Sequence, residues 1–169
     1  FIDEAYSLAD DRDGSYGDEA INTIVQEMEN RRGSVIVIFA GYTDKMEAFL
    51  NKNPGLRSRI AYNVPFDDYT TEELCAIAAL IAKKNGLSLD APAQSRLEKL
   101  FSAARTQSDF GNGRYVRNVI ERARMAQASR LLAMGYENVT SADVATLCAS
   151  DIEMPEVQVR AEKRIGFSA

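Results

Sequence analysis

Two acids, Asp3 and Glu4, stand in the stretch FIDEAYSL (1–8) directly after a pair of apolar residues. If Phe1 and Ile2 close a buried parallel strand, the acids sit at its carboxyl end, the edge at which α/β sheets bind ligands. There an aspartate can hold Mg2+, usually through water, and an adjacent glutamate can polarise an attacking water. The other reading is two surface acids in a loop. Three further stretches bear on the choice. NPGLRSRI (53–60) puts Arg57 and Arg59 in a loop just before a second apolar run, although a solvated basic turn reads the same way. FGNGRYVRN (110–118) places two glycines before a helix whose first turns carry Arg114 and Arg117. Helix amino termini disfavour cations, so an arginine there is either an inexpensive surface residue or one that faces a strong anion. AGYTD (40–44) closes an apolar run, and in a parallel pair it brings Tyr42 and Thr43 level with the two acids.

Composition narrows the chemistry. The 169 residues are 46% hydrophobic and 27% charged, ordinary for one globular domain or two small ones. There is no histidine, which removes His-based triads, His general bases and most zinc sites. Catalysis must then rest on carboxylates, lysines, arginines, hydroxyls or an oxygen-held metal. A net charge of −5 argues against a broad surface for nucleic acid. The charge is uneven: residues 1–30 hold nine acids with Arg12 as their single base, whereas five arginines fall between 114 and 130. Cys75 and Cys148 are isolated and read as reduced cytosolic thiols. No apolar run approaches the ~20 residues that span a bilayer, and no signal peptide opens the chain.

The elements that hold these stretches divide at about residue 70. Up to Tyr69 the pattern alternates. SVIVIFAG (34–41) is a continuous apolar run that suits a strand buried on both faces. DEAINTIVQEMEN (18–30) spaces Ile21, Ile24, Val25 and Met28 as one helical face, with acids at its start. A short helix near 44–50 and a weaker strand, AYNVPF (61–66), follow, which together predict an α/β layer with right-handed crossovers. From Thr70 onward nothing reads as strand. Four helices are expected: one capped by Thr70 with Glu73, one capped by Asp90, one from about Arg114 to Met134, and TSADVATLCA (140–149), capped by Thr140 or Ser141. The tail 151–169 is weakly patterned.

The order of the four chemical stretches resembles the Walker B, sensor 1, arginine finger and sensor 2 segments of an AAA+ ATPase. Within that superfamily DEAYSL, AGYTDKM, NPGLRSRI and GNGRYVRN are similar to the CbbX/CfxQ group, which includes stage V sporulation protein K and red-type rubisco activase. The resemblance implies a carboxyl-terminal fragment starting at Walker B: a partial α/β parallel-sheet core over 1–69, a four-helix lid over 70–150 and a tail over 151–169. It implies ATP and Mg2+ as cofactors, Asp3 as metal-holding residue and Glu4 as activator of the hydrolytic water. Arg114 would meet the γ-phosphate from the lid, with Arg117 a weaker claimant. Arg59, with Arg57 as its rival, would reach a neighbouring subunit's nucleotide. Tyr42 and Thr43 stand where sensor 1 usually has asparagine. The loop DDRDGSYGD (10–18) falls where such rings line a pore, with Tyr16 either gripping substrate or lying in a flexible acidic loop.

The expected activity is ATP hydrolysis coupled to remodelling of a protein client, in sporulation or rubisco activation, by a cytoplasmic homo-oligomeric, hexameric ring without membrane or nucleic-acid partners. Two alternatives are a nucleic-acid-linked AAA+ motor or clamp-loader relative, disfavoured by the acidic balance, and a non-catalytic interaction module, disfavoured by Asp3-Glu4. No GxxxxGK[ST] phosphate loop occurs in the chain. In the AAA+ sheet that the resemblance implies, order 5-1-4-3-2, the strand that feeds this loop lies between the runs at 34–40 and 61–65, so a gap is expected there.

Overall fold

The computed structural model describes residues 1–9, 16–107 and 110–154. Two compact units divide at residues 67 and 68. Most of the acidic loop proposed as a pore segment, and the tail from residue 155, lie outside the described residues.

In the first unit the acidic stretch leaves a parallel pairing. Ile2 bridges Phe39: the Ile2 amide donates to the Ile38 carbonyl at 2.8 Å, and the Ala40 amide donates to Ile2 at 2.9 Å. A 3-10 turn over Ala5–Ala9 follows, and then helix α1, Tyr16–Asn30. Ile21 is the buried residue of the face predicted for α1, with Val25 and Met28 packed beside it. Helix α2, Thr43–Lys52, supplies Phe49, and the single-turn helix α3, Pro54–Arg57, supplies Leu56. These side chains and Ala5 form a small core. The start of α1 presses on the preceding turn: a Cβ at Gly17 would lie 2.0 Å from the Leu8 carbonyl oxygen, so only glycine fits.

The 34–41 run departs from its expected burial. It is extended, but Ile36 is 88% exposed and its pairing is confined to the bridge at Phe39. The 61–66 run likewise forms no strand, and Phe66 is 94% exposed. A strand is held by cross-strand hydrogen bonds and facing side chains. Among the described residues the 34–41 run has no strand beside it apart from the Ile2 bridge, and the 61–66 run has none.

The second unit is built on helices α4 (Thr71–Lys84), α5 (Ala91–Ala104), α6 (Asn112–Met134) and the short α7 (Ser141–Ala145). Their starts follow the predicted caps. Thr70 and Glu73 exchange hydrogen bonds across the first turn of α4, Asp90 accepts from the Ala93 amide at 2.7 Å, and Thr140 pairs with Asp143 at α7. Leu74, Leu97, Phe101, Val116, Ile120, Leu147 and Ile152 are fully buried together. Tyr115 closes one side of this core, edge-on to Phe101 at 6.2 Å. At full burial each such large side chain contributes about 1.5–3 kcal/mol.

One expectation for this unit is corrected. Ser88–Leu89 (β1) pairs in parallel with Thr146–Leu147 (β2), so residues 146–147 leave the predicted fourth helix, which stops at Ala145. Two-residue strands carry no periodic pattern, and these pair across almost sixty positions, so local sequence offers nothing to read. Gln127 on α6 secures the switch. It is buried, and its Nε2 lies within 3.1 Å of the carbonyls of Asp143, Val144 and Thr146.

Beyond β2, Asp151 is 1% exposed on its side chain and takes both prongs of Arg130, Nε to Oδ1 at 2.8 Å and Nη2 to Oδ2 at 3.0 Å. It also accepts the Cys148 amide at 2.8 Å. That hydrogen bond to Asp151 holds the Arg130 guanidinium above its ordinary range. Asp151→Asn keeps the shape but removes the charge that pairs with a half-buried arginine. A loss of about 1–3 kcal/mol in urea unfolding is expected, and an unchanged midpoint would show that the clasp adds no stability. Both cysteines are free thiols, raised above the ordinary range chiefly by burial. No described helix is long and apolar enough to cross a membrane.

Candidate functional site

The geometry around Asp3 and Glu4 is set by the backbone. After the Ile2 bridge the chain turns through Glu4, which adopts φ +48°, and the Ala5 amide returns to the Ala40 carbonyl at 3.0 Å. A left-handed glutamate costs about 1–2 kcal/mol relative to ordinary backbone, so the surrounding hydrogen bonds must enforce it. They do so on both sides: the Glu4 amide donates to Asp3 Oδ1 at 3.0 Å, and the Glu4 carbonyl accepts from Ser7 at 2.8 Å. Strained backbone of this kind concentrates at sites where position matters more than stability. Both carboxylates are exposed.

The 40–44 segment lies beside this turn. Tyr42 precedes α2 and Thr43 begins it; the Thr43 hydroxyl makes no hydrogen bond among the described residues. The Tyr42 ring is 6.5 Å from Tyr6, and Lys45 Nζ sits 4.9 Å from the Tyr6 centroid and 5.6 Å from that of Tyr42. A cleft of about 240 Å³, lined by Tyr6, Ala9, Lys45, Ala48, Phe49 and Lys52, adjoins the pair. Asp3, Glu4 and Tyr42 are therefore gathered at one end of the bridged segments, with the Thr43 backbone next to them.

The two candidate finger arginines are held elsewhere in the same unit. Arg59 Nη2 pairs with Glu29 Oε2 of α1 at 3.3 Å, and its Nη1 donates to the Gly55 carbonyl at 3.1 Å. Arg57 ends α3 and donates to the Asn51 side chain. Neither contacts Asp3 or Glu4 among the described residues.

In the helical unit, Arg114 and Arg117 are both exposed on the first two turns of α6. The start of that helix is tied down by Asn112, itself at φ +48°. Its Nδ2 donates to Asp68 Oδ1 at 2.6 Å and its Oδ1 accepts the Tyr69 amide at 3.0 Å. The helix end that carries Arg114 is thus anchored to the segment leading into α4. Sequence reading singled out GNGR for its arginine and passed over this asparagine, whose role depends on contacts more than forty residues away.

As donors for a metal the acids fit Mg2+ in kind, because it takes hard oxygens from one or two carboxylates and completes its shell with water and phosphate. Asp3 Oδ1 accepts the Glu4 amide, which orients the carboxylate and leaves Oδ2 without a hydrogen bond among the described residues.

A family model described as the AAA lid domain matches residues 70–162. The chain is 44% identical over 153 residues to a protein described as a CfxQ homolog in Pyropia yezoensis, which covers 90% of this chain and 51% of that protein. It is 42% identical over 153 residues to the chloroplastic ribulose bisphosphate carboxylase/oxygenase activase of Cyanidioschyzon merolae, with 90% and 52% covered. Protein CbbX of Cereibacter sphaeroides is 40% identical over 158 residues, with 93% and 51% covered. The chain spans about half the length of these curated relatives.

Proposed function

The chain belongs to the AAA lid domain family, with relatives of the CbbX/CfxQ group, and from that premise we propose that it is the Walker B-to-lid part of an AAA+ ATPase. The longer protein hydrolyses ATP and applies the free energy to a protein client, as a homo-oligomeric ring in the cytoplasm or an equivalent soluble compartment. Ribulose bisphosphate carboxylase/oxygenase is the client class favoured by the name of the Cyanidioschyzon merolae relative. In this reading residues 1–69 are part of the nucleotide-binding core, 70–150 the lid and 151–169 a tail.

The observation that carries the reading is the turn at Asp3-Glu4, where two acids are held at the end of a parallel-bridged segment by a left-handed backbone. Asp3 Oδ2, which makes no hydrogen bond among the described residues, is the group offered to Mg2+. When bound, that ion neutralises phosphate charge. Glu4 takes the proton of the attacking water or orients it, with Thr43 or Tyr42 as second polar group. Arg114, with Arg117 behind it, offers a cation to the γ-phosphate from the anchored start of α6. Arg59, or Arg57, stabilises the charge that spreads over the phosphoryl oxygens at a neighbour's site.

The test is ATP turnover by the full-length protein, with and without purified ribulose bisphosphate carboxylase/oxygenase. Stimulation by that client supports the reading, and absence of any ATP turnover removes it. The 169-residue chain alone is expected to bind ATP poorly, since it has no phosphate-loop amides or lysine to cradle the anion. Micromolar affinity in calorimetric titration of this chain would overturn that expectation and the assignment of its architecture.

A further inference from the structure

We propose that Asn112 is a positioning residue for Arg114: it latches the start of α6 to Asp68 and Tyr69, where the chain enters the helical unit. The inference rests on the ATPase reading above, in which Arg114 meets the γ-phosphate. Arg114 is exposed and lies on the first turn of its helix, and helix ends fray. This end has little of its own to hold it. The N-cap is Gly111, with no side chain to accept an amide, and Gly113 follows one residue into the helix. Glycine leaves the backbone more freedom than any other residue. An arginine that must meet one phosphate group in one direction needs its helix end fixed.

Asn112 supplies the fixing, and both polar atoms of its side chain are used. Nδ2 donates to Asp68 Oδ1 at 2.6 Å, and Oδ1 accepts the Tyr69 amide at 3.0 Å. The first of these is charge-assisted, the stronger kind of hydrogen bond. Both partners belong with α6 to one compact unit. Tyr69 adjoins Thr70, whose capping box with Glu73 fixes the start of α4. The latch therefore joins two helix starts across contacts 43 and 44 residues apart in sequence. Asn112 makes it from φ +48°, a conformation that asparagine tolerates better than most residues. Such backbone persists where the surroundings enforce it. Apolar packing does not account for the arrangement. Val116 is fully buried, and Tyr115 meets Phe101 and Phe110, but these residues lie beyond Arg114 along the helix. Among the described residues, the side-chain hydrogen bonds of the first turn are those of Asn112.

The experiment measures binding of ADP and of a non-hydrolysable ATP analogue to the full-length protein, together with ATP turnover. Asn112→Gly keeps the left-handed backbone accessible and removes both bonds. The ATP analogue is expected to bind about tenfold more weakly, the size of one hydrogen bond to a charged group, with ADP within about twofold of wild type. A loss of stability alone would lower both affinities together or neither. Asn112→Asp sets a second carboxylate against Asp68 and is expected to lose the same preference. Adding Asp68→Asn reverses donor and acceptor along the latch and is expected to restore it. Arg114→Ala is expected to reproduce the loss, and Asn112→Gly to add less than about twofold in that background, because the two act through one contact. Wild-type affinities in Asn112→Gly, a full further loss in the Arg114→Ala background, or no restoration by Asp68→Asn overturns the inference and leaves the ATPase reading intact. Arg114→Ala with wild-type preference and turnover overturns both the inference and the place of Arg114 in that reading. Wild-type protein without ATP turnover removes the reading and the inference with it.

Discussion

Glu4→Gln in the full-length protein is expected to leave ATP binding at wild-type strength while lowering turnover by about 10²–10⁴-fold, the range a general base supplies. The amide has the shape of the acid, and at the left-handed backbone of residue 4 it meets the same neighbours. What it lacks is the negative charge that accepts the proton of water or orients it. Asp3→Asn is expected to behave differently. Its Oδ1 already accepts the Glu4 amide, so the substitution weakens the oxygen offered to Mg2+ and with it Mg2+-dependent nucleotide binding. Single-turnover hydrolysis and a binding titration on the two variants separate the roles. Wild-type turnover in both would show that the acids at the end of the bridged segment are surface residues.

Arg59→Ala carries the second large effect. Loss of an arginine finger is expected to cut hydrolysis by about 10³–10⁵-fold while sparing each subunit's own nucleotide affinity. The present partner of Arg59 does not oppose that role. Its pair with Glu29 is partly solvent-exposed, with the Arg59 side chain at 33% and that of Glu29 at 57%. Such pairs are worth about 0–1 kcal/mol, so releasing the guanidinium toward a neighbour costs little. The decisive measurement mixes two inactive variants. Glu4→Gln damages the site of its own subunit, whereas Arg59→Ala damages the next one in the ring. A mixed ring then contains some sites that join an intact Glu4 to an intact Arg59, and activity should return. No recovery, with subunit exchange shown by an independent label, would assign Arg59 a role within its own subunit or none. Repeating the mixture with Arg57→Ala identifies which arginine crosses the boundary.

What could be read in the sequence was whatever is encoded locally. Caps at Thr70, Asp90 and Thr140 are short-range hydrogen bonds between a side chain and an amide three residues on, and all three stand where their residue types put them. The helical face of Ile21, Val25 and Met28 follows from spacing alone. The parallel pairing that brings residues 40–42 beside Asp3 and Glu4 was legible because an apolar run before an acid pair and another before AGYTD have the same form. What escaped depends on distant partners. The β1–β2 pair, the three carbonyls gathered by Gln127, the Arg130–Asp151 clasp and the Asn112 anchor each join residues between 16 and 58 positions apart. Burial of the 34–41 run was misjudged for a related reason. An apolar strand is buried only if something covers it, and its composition describes the cover it requires rather than the cover it has.

That open run also governs how the purified chain will behave in a tube. Ile36 and Phe66 project from extended segments whose outward backbone groups have no strand beside them among the described residues, and unpaired extended edges with apolar side chains template the addition of like segments from other molecules. A net charge of −5 gives only modest mutual repulsion against this, and added salt screens it. Colloidal stability of the isolated chain should therefore fall as ionic strength or concentration rises, through intermolecular β-pairing rather than through unfolding of the helical unit. Dilute, low-salt buffers are the conditions under which its spectroscopy reports on single molecules.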